Sequence, residues 1–264
     1  MGYKRIISLF TKIRNLHSDP YRIGAYNYAI NQLSNGTTTG IGKKLMKKIR
    51  NPELAKQELA EMRAIRPLAK LPGFSSKFLQ GKTVKDIEQM STNGTLTRIQ
   101  EISFRNRNKI LTKIPRNEVE RIARDLIRDL PGKKYIVGSF RRQKSYSGDI
   151  DILIIGEHVD LRKHPRVHET LVYGATKMSI LAVAHRDKLV QVDIRILSPE
   201  SEYTGLLYFT GSKEFNVSLR NKAKKLGYKL NEYGLFRNET RIPIRSEEEI
   251  FAKLQTPWVL PEFR

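Results

Sequence analysis

The chain has 264 residues, 39% of them hydrophobic, no cysteine, and 49 Lys plus Arg against 27 Asp plus Glu, for a formal charge of +22. That length gives ample core for one large domain or two smaller ones, while the lack of cysteine excludes disulfides and Cys-ligated zinc and fits a reducing compartment. The charge makes an extended polyanion the natural partner; ribosomal and chromatin proteins are equally basic, so it speaks for affinity and not for activity.

No apolar run reaches the roughly 18 residues a membrane span needs, and the N-terminus lacks a secretory h-region. Gly2 fails the myristoylation pattern, because Ile6 stands where Ser or Thr is required. A soluble, intracellular chain is expected. Residues 1–50 hold ten Lys or Arg and one acid, Asp19. The first hundred-odd residues read as helical, with turns at Asn35-Gly36 and Pro72-Gly73 and an apolar stripe, Ile6, Ile7, Phe10 and Ile13, that serves packing. Gly40-Ile41-Gly42 precedes a helix over 43–49, and Leu71-Pro72-Gly73-Phe74-Ser75 precedes one over 76–79. Both segments resemble the hairpins of helix-hairpin-helix motifs, in which backbone amides approach phosphates at a helix N-terminus and carbonyls hold a monovalent ion. Ser75 stands where a second glycine is usual, and plain helix-connecting turns are the alternative. Lys43, Lys44, Lys47 and Lys48 follow the first hairpin. Crowded ammonium groups lower one another's pKa, which suits a Schiff-base nucleophile; a solvated phosphate-binding patch is the competing reading.

Val119, Ile122, Ala123, Leu126, Ile127 and Leu130 fall at i, i+3, i+4, i+7, i+8 and i+11, predicting an amphipathic helix that backs a sheet and ends at Pro131-Gly132. Tyr135-Ile136-Val137 reads as a short strand leading into Gly138-Ser139, a turn whose donors can approach an anion, and Arg141 and Arg142 add forks suited to phosphate oxygens. In Gly148-Asp149-Ile150-Asp151-Ile152-Leu153, strand alternation puts Asp149 and Asp151 on one face, about 6.5–7 Å apart along the backbone. That span suits two hard cations bridged by a phosphate, although an isolated pair of this kind is more often an exposed edge strand. His164 and His168 stand at i, i+4 with no third ligand in view and read as surface residues. Residues 191–197 alternate again, with Gln191, Asp193 and Arg195 on one face. Asp193 supplies the third carboxylate that two metals need; Arg195 either steers these carboxylates or makes an ordinary cross-strand ion pair. Further on come Leu207-Tyr208-Phe209-Thr210-Gly211-Ser212, Phe215-Asn216, Gly227-Tyr228 and Asn231-Glu232-Tyr233.

Gly138-Ser139-Phe140-Arg141-Arg142 followed by Gly148-Asp149-Ile150-Asp151 resembles the nucleotidyltransferase signature of family X DNA polymerases of the polymerase beta type, viral members included. Asp193 sits where that family has its third metal ligand, and the block from Leu207 to Tyr233 resembles the segment contacting the incoming sugar and base. The resemblance implies an α+β fold: a helical lyase-like domain with the first hairpin over 1–64, a DNA-binding helical subdomain over 65–114, a catalytic palm with a mixed β-sheet over 115–199, and a small α+β nucleotide-binding subdomain over 200–264. It implies two Mg²⁺ or Mn²⁺ ions on Asp149, Asp151 and Asp193, with monovalent cations at the hairpins. Ser139, Arg142, Ser147 and Gly148 would bind the triphosphate; Tyr208, Phe209 and Gly211 would line the sugar; Asn216 and Arg220 would lie along the nascent base pair, with Glu232 supporting the closed state and Arg195 the carboxylates. In the lyase-like domain it places Lys48 as the nucleophile of a 5′-deoxyribose-phosphate lyase and groups Tyr26, Lys44, Gly40, Gly42, Gly73 and Ser75 with the DNA contacts.

The implied activity is template-directed filling of short gaps in base-excision repair. The expected partners are gapped or nicked double-stranded DNA, deoxynucleoside triphosphates and a DNA ligase, with no membrane. The chain is expected to act as a monomer in the nucleus of a cellular host, or in the virion or host cytoplasm if viral. Two departures stand out: Lys213 occupies a position often acidic, and Gln191 one expected to be basic. A template-independent nucleotidyltransferase and a non-catalytic DNA-end-binding protein are the alternative readings.

Overall fold

The structure is a computed structural model that describes residues 3–264; the reading of Gly2 lies outside them. The chain divides into two compact units, one up to Phe104 and one from Arg105 onward.

The first unit is helical. Helix α1 (Lys4–Arg14) turns Ile6, Phe10 and Ile13 inward, at the spacing of one helical face. Helix α2 (Pro20–Ser34) starts on Asp19, whose carboxylate accepts from the Tyr21 and Arg22 amides, with Pro20 in the first turn where no amide hydrogen is missed. Helix α3 (Lys43–Arg50) has no fully buried residue, while α4 (Pro52–Ile65), capped by Asn51, inserts Ala55 and Leu59 between α1 and α2 residues in one core. Phe10 is wholly buried there, worth roughly 1.5–3 kcal/mol relative to exposure. Beyond it lie α5 (Ser76–Leu79), α6 (Val84–Thr92), which opens on a Thr83/Asp86 capping box, and α7 (Arg98–Arg105).

In the second unit a short strand, β1 (Ile114–Pro115), leads into α8 (Arg116–Ile127). After β2 (Lys133–Ile136) and the one-turn helix α9 (Gly138–Arg141) come β3 (Tyr146–Ser147), β4 (Ile150–Ile155), β5 (Val167–Tyr173), β6 (Lys177–Val183) and β7 (Leu189–Leu197). The main sheet has the order β2-β4-β7-β6-β5, and only β4 and β7 run parallel within it, so the sheet is mixed. The predicted stripe of α8 packs on one face of this sheet: Val119, Ile122, Ala123, Leu126 and Ile127 share a core with Ile150, Ile152, Ile154, Val192 and Ile194. The helix stops at Ile127, ahead of its predicted end. Leu130 lies outside it because the ring of Pro131 disfavours helical backbone in the residue before it.

The chain then forms α10 (Glu202–Thr210), α11 (Lys213–Lys225), a meander of β8 (Lys229–Asn231), β9 (Gly234–Arg237) and β10 (Thr240–Ile242), and α12 (Glu247–Lys253). Helix α10 is tied to the sheet at its start, where Glu202 accepts from Lys133 Nζ at 2.8 Å and from the Tyr135 hydroxyl. Leu207, Leu219, Leu235, Ile250 and Phe251 form the core of this last part. The whole is the predicted α+β architecture. Among the described residues no helix is long and apolar enough to cross a membrane.

Candidate active site

The parallel register of β4 and β7 sets Asp151 opposite Asp193. Along β7, Val190, Val192, Ile194 and Ile196 are buried on one face, and Gln191, Asp193 and Arg195 share the opposite face as the alternation predicts, between the buried ends Leu189 and Leu197. Asp149 stands one residue ahead of β4. One carboxylate oxygen from each of Asp149, Asp151 and Asp193 lies within 4.8 Å of the others, and among the described residues this is the one such group of three. Burial, then the charges of Asp149 and Asp193, push the Asp151 carboxyl up to about 7; burial and Asp193 raise Asp149 as well, with Arg142 opposing both shifts. Half-buried carboxylates whose neighbours raise the pKa of Asp149 and Asp151 have the charge and the oxygen donors that a hard divalent cation neutralises. The donor set therefore fits the expected metals.

Gly138 makes this arrangement possible. Its φ is +57°, and a Cβ there would lie 1.9 Å from Asp151 Oδ2, so no other residue fits. It opens α9, where the sequence reads a turn at Gly138-Ser139. The Ser139 hydroxyl donates to Ser147 Oγ at 2.7 Å. Ser147, expected at the triphosphate, is instead buried beneath that contact, and exposed Gly148 links it to Asp149. The two arginines part company. Arg142 lines the cleft and donates to the Thr210 carbonyl, whereas Arg141 turns to Glu247 and to the Thr210 hydroxyl at 2.7 Å and is not available to phosphate.

A cleft of about 350 Å³ adjoins the carboxylates. Gly138, Ser139, Arg142, Asp149 and Asp151 line it together with Tyr208, Phe209, Gly211, Lys213, Asn216 and Arg220. Gly211, at φ +72°, ends α10, and the Ser212 hydroxyl accepts from the Phe215 amide to begin α11. Asn216 donates its side-chain amide to the Tyr208 carbonyl at 2.6 Å, fixing the two helices' junction. Tyr208 and Phe209 meet edge to face at 5.1 Å. The Arg195 guanidinium lies 5.7 Å from the Phe209 ring centroid, and its charge acts on Asp151 by opposing protonation. Gln191 donates to Asp193 Oδ2 at 2.9 Å, orienting that carboxylate. Glu232 contributes its backbone carbonyl, which accepts from the Thr204 hydroxyl. His164 accepts from the Arg166 amide and belongs to no metal-ligand group among the described residues.

In the first unit Gly40 and Gly73 both have positive φ, +72° and +80°, and both are exposed, as are Gly42 and Lys44. Ser75 caps α5, accepting from the Phe78 amide at 3.1 Å, so it serves the helix start directly. Lys48 is drawn out of the lysine cluster. It is half-buried, ion-paired with Glu58, and donates to the Tyr26 hydroxyl at 2.8 Å. Tyr26 is buried and donates to Glu58 at 2.7 Å, so it presents no DNA-contacting surface and acts by holding Lys48 and Glu58. Sequence reading missed Glu58, because no spacing rule joins it to Lys48 across two helices. It also missed Thr210 and Glu247, which only the folded chain brings to the arginines.

Mixed sheet, three converging carboxylates and an arginine-lined cleft together define a nucleotidyltransferase palm. Residues 113–224 match the family model described as DNA polymerase beta palm, and residues 205–264 that described as DNA polymerase beta thumb. Over 149 residues the chain is 32% identical to the repair DNA polymerase X of African swine fever virus, covering 53% of this chain and 85% of the viral one. It is 28% identical over 227 residues to the DNA polymerase/3′-5′ exonuclease PolX of Bacillus subtilis, covering 75% of this chain but 40% of that protein. The crystal structure of Leishmania infantum polymerase beta in a ternary P/T complex superposes with a TM-score of 0.65 at 26% identity, covering 76% of this chain and 98% of the other. The chain belongs to the family X DNA polymerases.

Proposed function

We propose that this protein is a template-directed DNA polymerase that fills short gaps in damaged DNA by two-metal nucleotidyl transfer. The observation that carries the reading is the meeting of Asp149, Asp151 and Asp193 within 4.8 Å beside a cleft lined by Arg142 and the α10–α11 junction. Two Mg²⁺ or Mn²⁺ ions on these aspartates would, when bound, activate the primer 3′-hydroxyl and neutralise charge on the departing pyrophosphate. Ser139 and Arg142 hold the triphosphate, Tyr208, Phe209 and Gly211 crowd the sugar's 2′ position, and Asn216 and Arg220 lie along the base pair being formed. Gln191 keeps Asp193 turned toward the cluster. The glycine hairpins at Gly40 and Gly73 grip backbone phosphates of gapped or nicked duplex. The names of the viral and bacterial relatives support this reading.

A second activity, removal of 5′-deoxyribose phosphate through a Lys48 Schiff base, is favoured by the isolation of Lys48 against Tyr26 and Glu58. The deciding experiment is single-nucleotide extension on a one-nucleotide-gapped duplex with a 5′-phosphate and Mg²⁺. Wild type should incorporate the template-matched nucleotide, and Asp193→Ala should lower the rate by at least about 100-fold. Tight DNA binding without incorporation would instead make the protein a DNA-end binder, and incorporation indifferent to template would make it a template-independent transferase.

A further inference from the structure

Lys48 Nζ has two partners, the Tyr26 hydroxyl and a carboxylate oxygen of Glu58, and that same oxygen accepts from Tyr26 at 2.7 Å. A carboxylate seated on the attacking nitrogen stands in the way of that attack unless it has work afterwards. We infer that Glu58 is the base that removes the C2′ proton in β-elimination from a Lys48 Schiff base; the assignment rests on the lyase reading above.

The chemistry balances without another reagent. Lys48 sheds one ammonium proton to solvent, adds to the C1′ aldehyde of a ring-opened deoxyribose phosphate at a DNA 5′ end, and the adduct takes a proton back as it loses water, giving an iminium. Its positive charge acidifies the C2′ hydrogens. Glu58 takes one as a proton, the C–H electron pair becomes the C2′–C3′ double bond, and the C3′–O bond breaks, its electron pair leaving with the phosphate of the downstream strand. Water then hydrolyses the iminium, releasing the unsaturated sugar phosphate and the amine, and Glu58 returns its proton to solvent.

Position follows from bonding. The sugar's C1′ takes the place of hydrogens on Nζ, and C2′ is the next atom, so an oxygen in contact with Nζ is in contact range of the C2′ hydrogens. Forming the iminium strips Nζ of all but one hydrogen and frees Glu58 to act, while the Tyr26 hydroxyl keeps it in place. Glu58 also borders a cavity of about 460 Å³ whose rim includes Arg22, Arg66 and Lys82, cations suited to a sugar phosphate. His17 is the rival base on that cavity. Its ring stacks on Tyr26 at 5.6 Å, its Nε2 has no hydrogen-bond partner, and burial, then Arg22, lowers its pKa and so favours the neutral form.

The test uses the full chain on duplex carrying an incised abasic site, with borohydride-trapped adduct and single-turnover sugar-phosphate release measured separately. Glu58→Gln should trap adduct at the wild-type level, which also shows the site is folded, while release slows by about 100-fold or more, the range of a lost general base. Glu58→Asp should recover part of the release. Release by Glu58→Gln within about threefold of wild type overturns the assignment, as does loss of trapping together with release, or a release defect that follows His17→Gln instead. No trapped adduct with wild type would sink the lyase reading itself, a result distinct from any of these.

Discussion

At the scale of single residues, Asp151 ties metal binding to pH. An unfolded aspartate titrates near 3.8 and Asp151 in the fold at about 7, so the folded, metal-free chain holds this proton more tightly. The stability that follows is complete below about pH 4 and is lost as pH rises toward 7. Mg²⁺ should therefore stabilise the chain little at about pH 5.5 and clearly at about pH 8, by roughly 1.4 kcal/mol at ten times its Kd; Asp151→Asn should erase the difference and stabilise the metal-free chain above pH 7. Thermal melts with and without Mg²⁺ across that range check both. Gly138→Ala places a methyl 1.9 Å from the Asp151 carboxylate on left-handed backbone, so urea unfolding should show a loss of about 1–3 kcal/mol and extension activity should fall with the displaced ligand. Asp149, Asp151 and Asp193 were legible in the sequence because strand alternation fixes which side chains share a face. The capture of Arg141 was not. Neighbours on a one-turn helix diverge, and Glu247, which claims Arg141, lies 106 residues further along the chain.

At the scale of elements, that ion pair joins α9, beside the cleft, to α12. Glu247 also accepts from Arg264 at 2.8 Å, and the buried Arg264 guanidinium sits 4.6 Å from the Trp258 ring and 5.4 Å from that of Phe251. Glu247→Gln would leave two arginines facing each other with no carboxylate between them, so denaturant unfolding should register a loss of about 3–5 kcal/mol. The loss should exceed that of Glu249→Gln, whose pair with Lys253 is a third exposed and screened by water. Helix α8 shows what pattern alone can and cannot do. Its stripe predicted the packed face residue by residue, but apolar spacing continued to Leu130, past the point where proline ends the helical backbone.

At the scale of the whole molecule, the +22 charge is concentrated where it can act, with ten basic residues and one acid in the first fifty. If about six phosphates are neutralised on binding, the logarithm of the DNA affinity should fall against the logarithm of salt with a slope near −5, and Lys44→Ala should reduce that slope by about 1. Titrations of labelled gapped duplex over a salt series measure both. The helical character of the first hundred-odd residues was readable from their apolar spacing. The ion pair of Lys48 with Glu58 was not, since it depends on how α3 and α4 pack.

The parallel pairing of β4 with β7 has a bearing on how the chain is made. Asp151 and its partner across the sheet, Asp193, are separated in sequence by β5 and β6, which must be synthesised and folded back before β7 can slot in beside β4. Contacts this distant in sequence close late, because the intervening chain must first surrender its freedom. A ribosome-bound fragment that stops short of β7 therefore holds two of the three carboxylates, and the cluster is completed only when the last strand of the sheet takes its place.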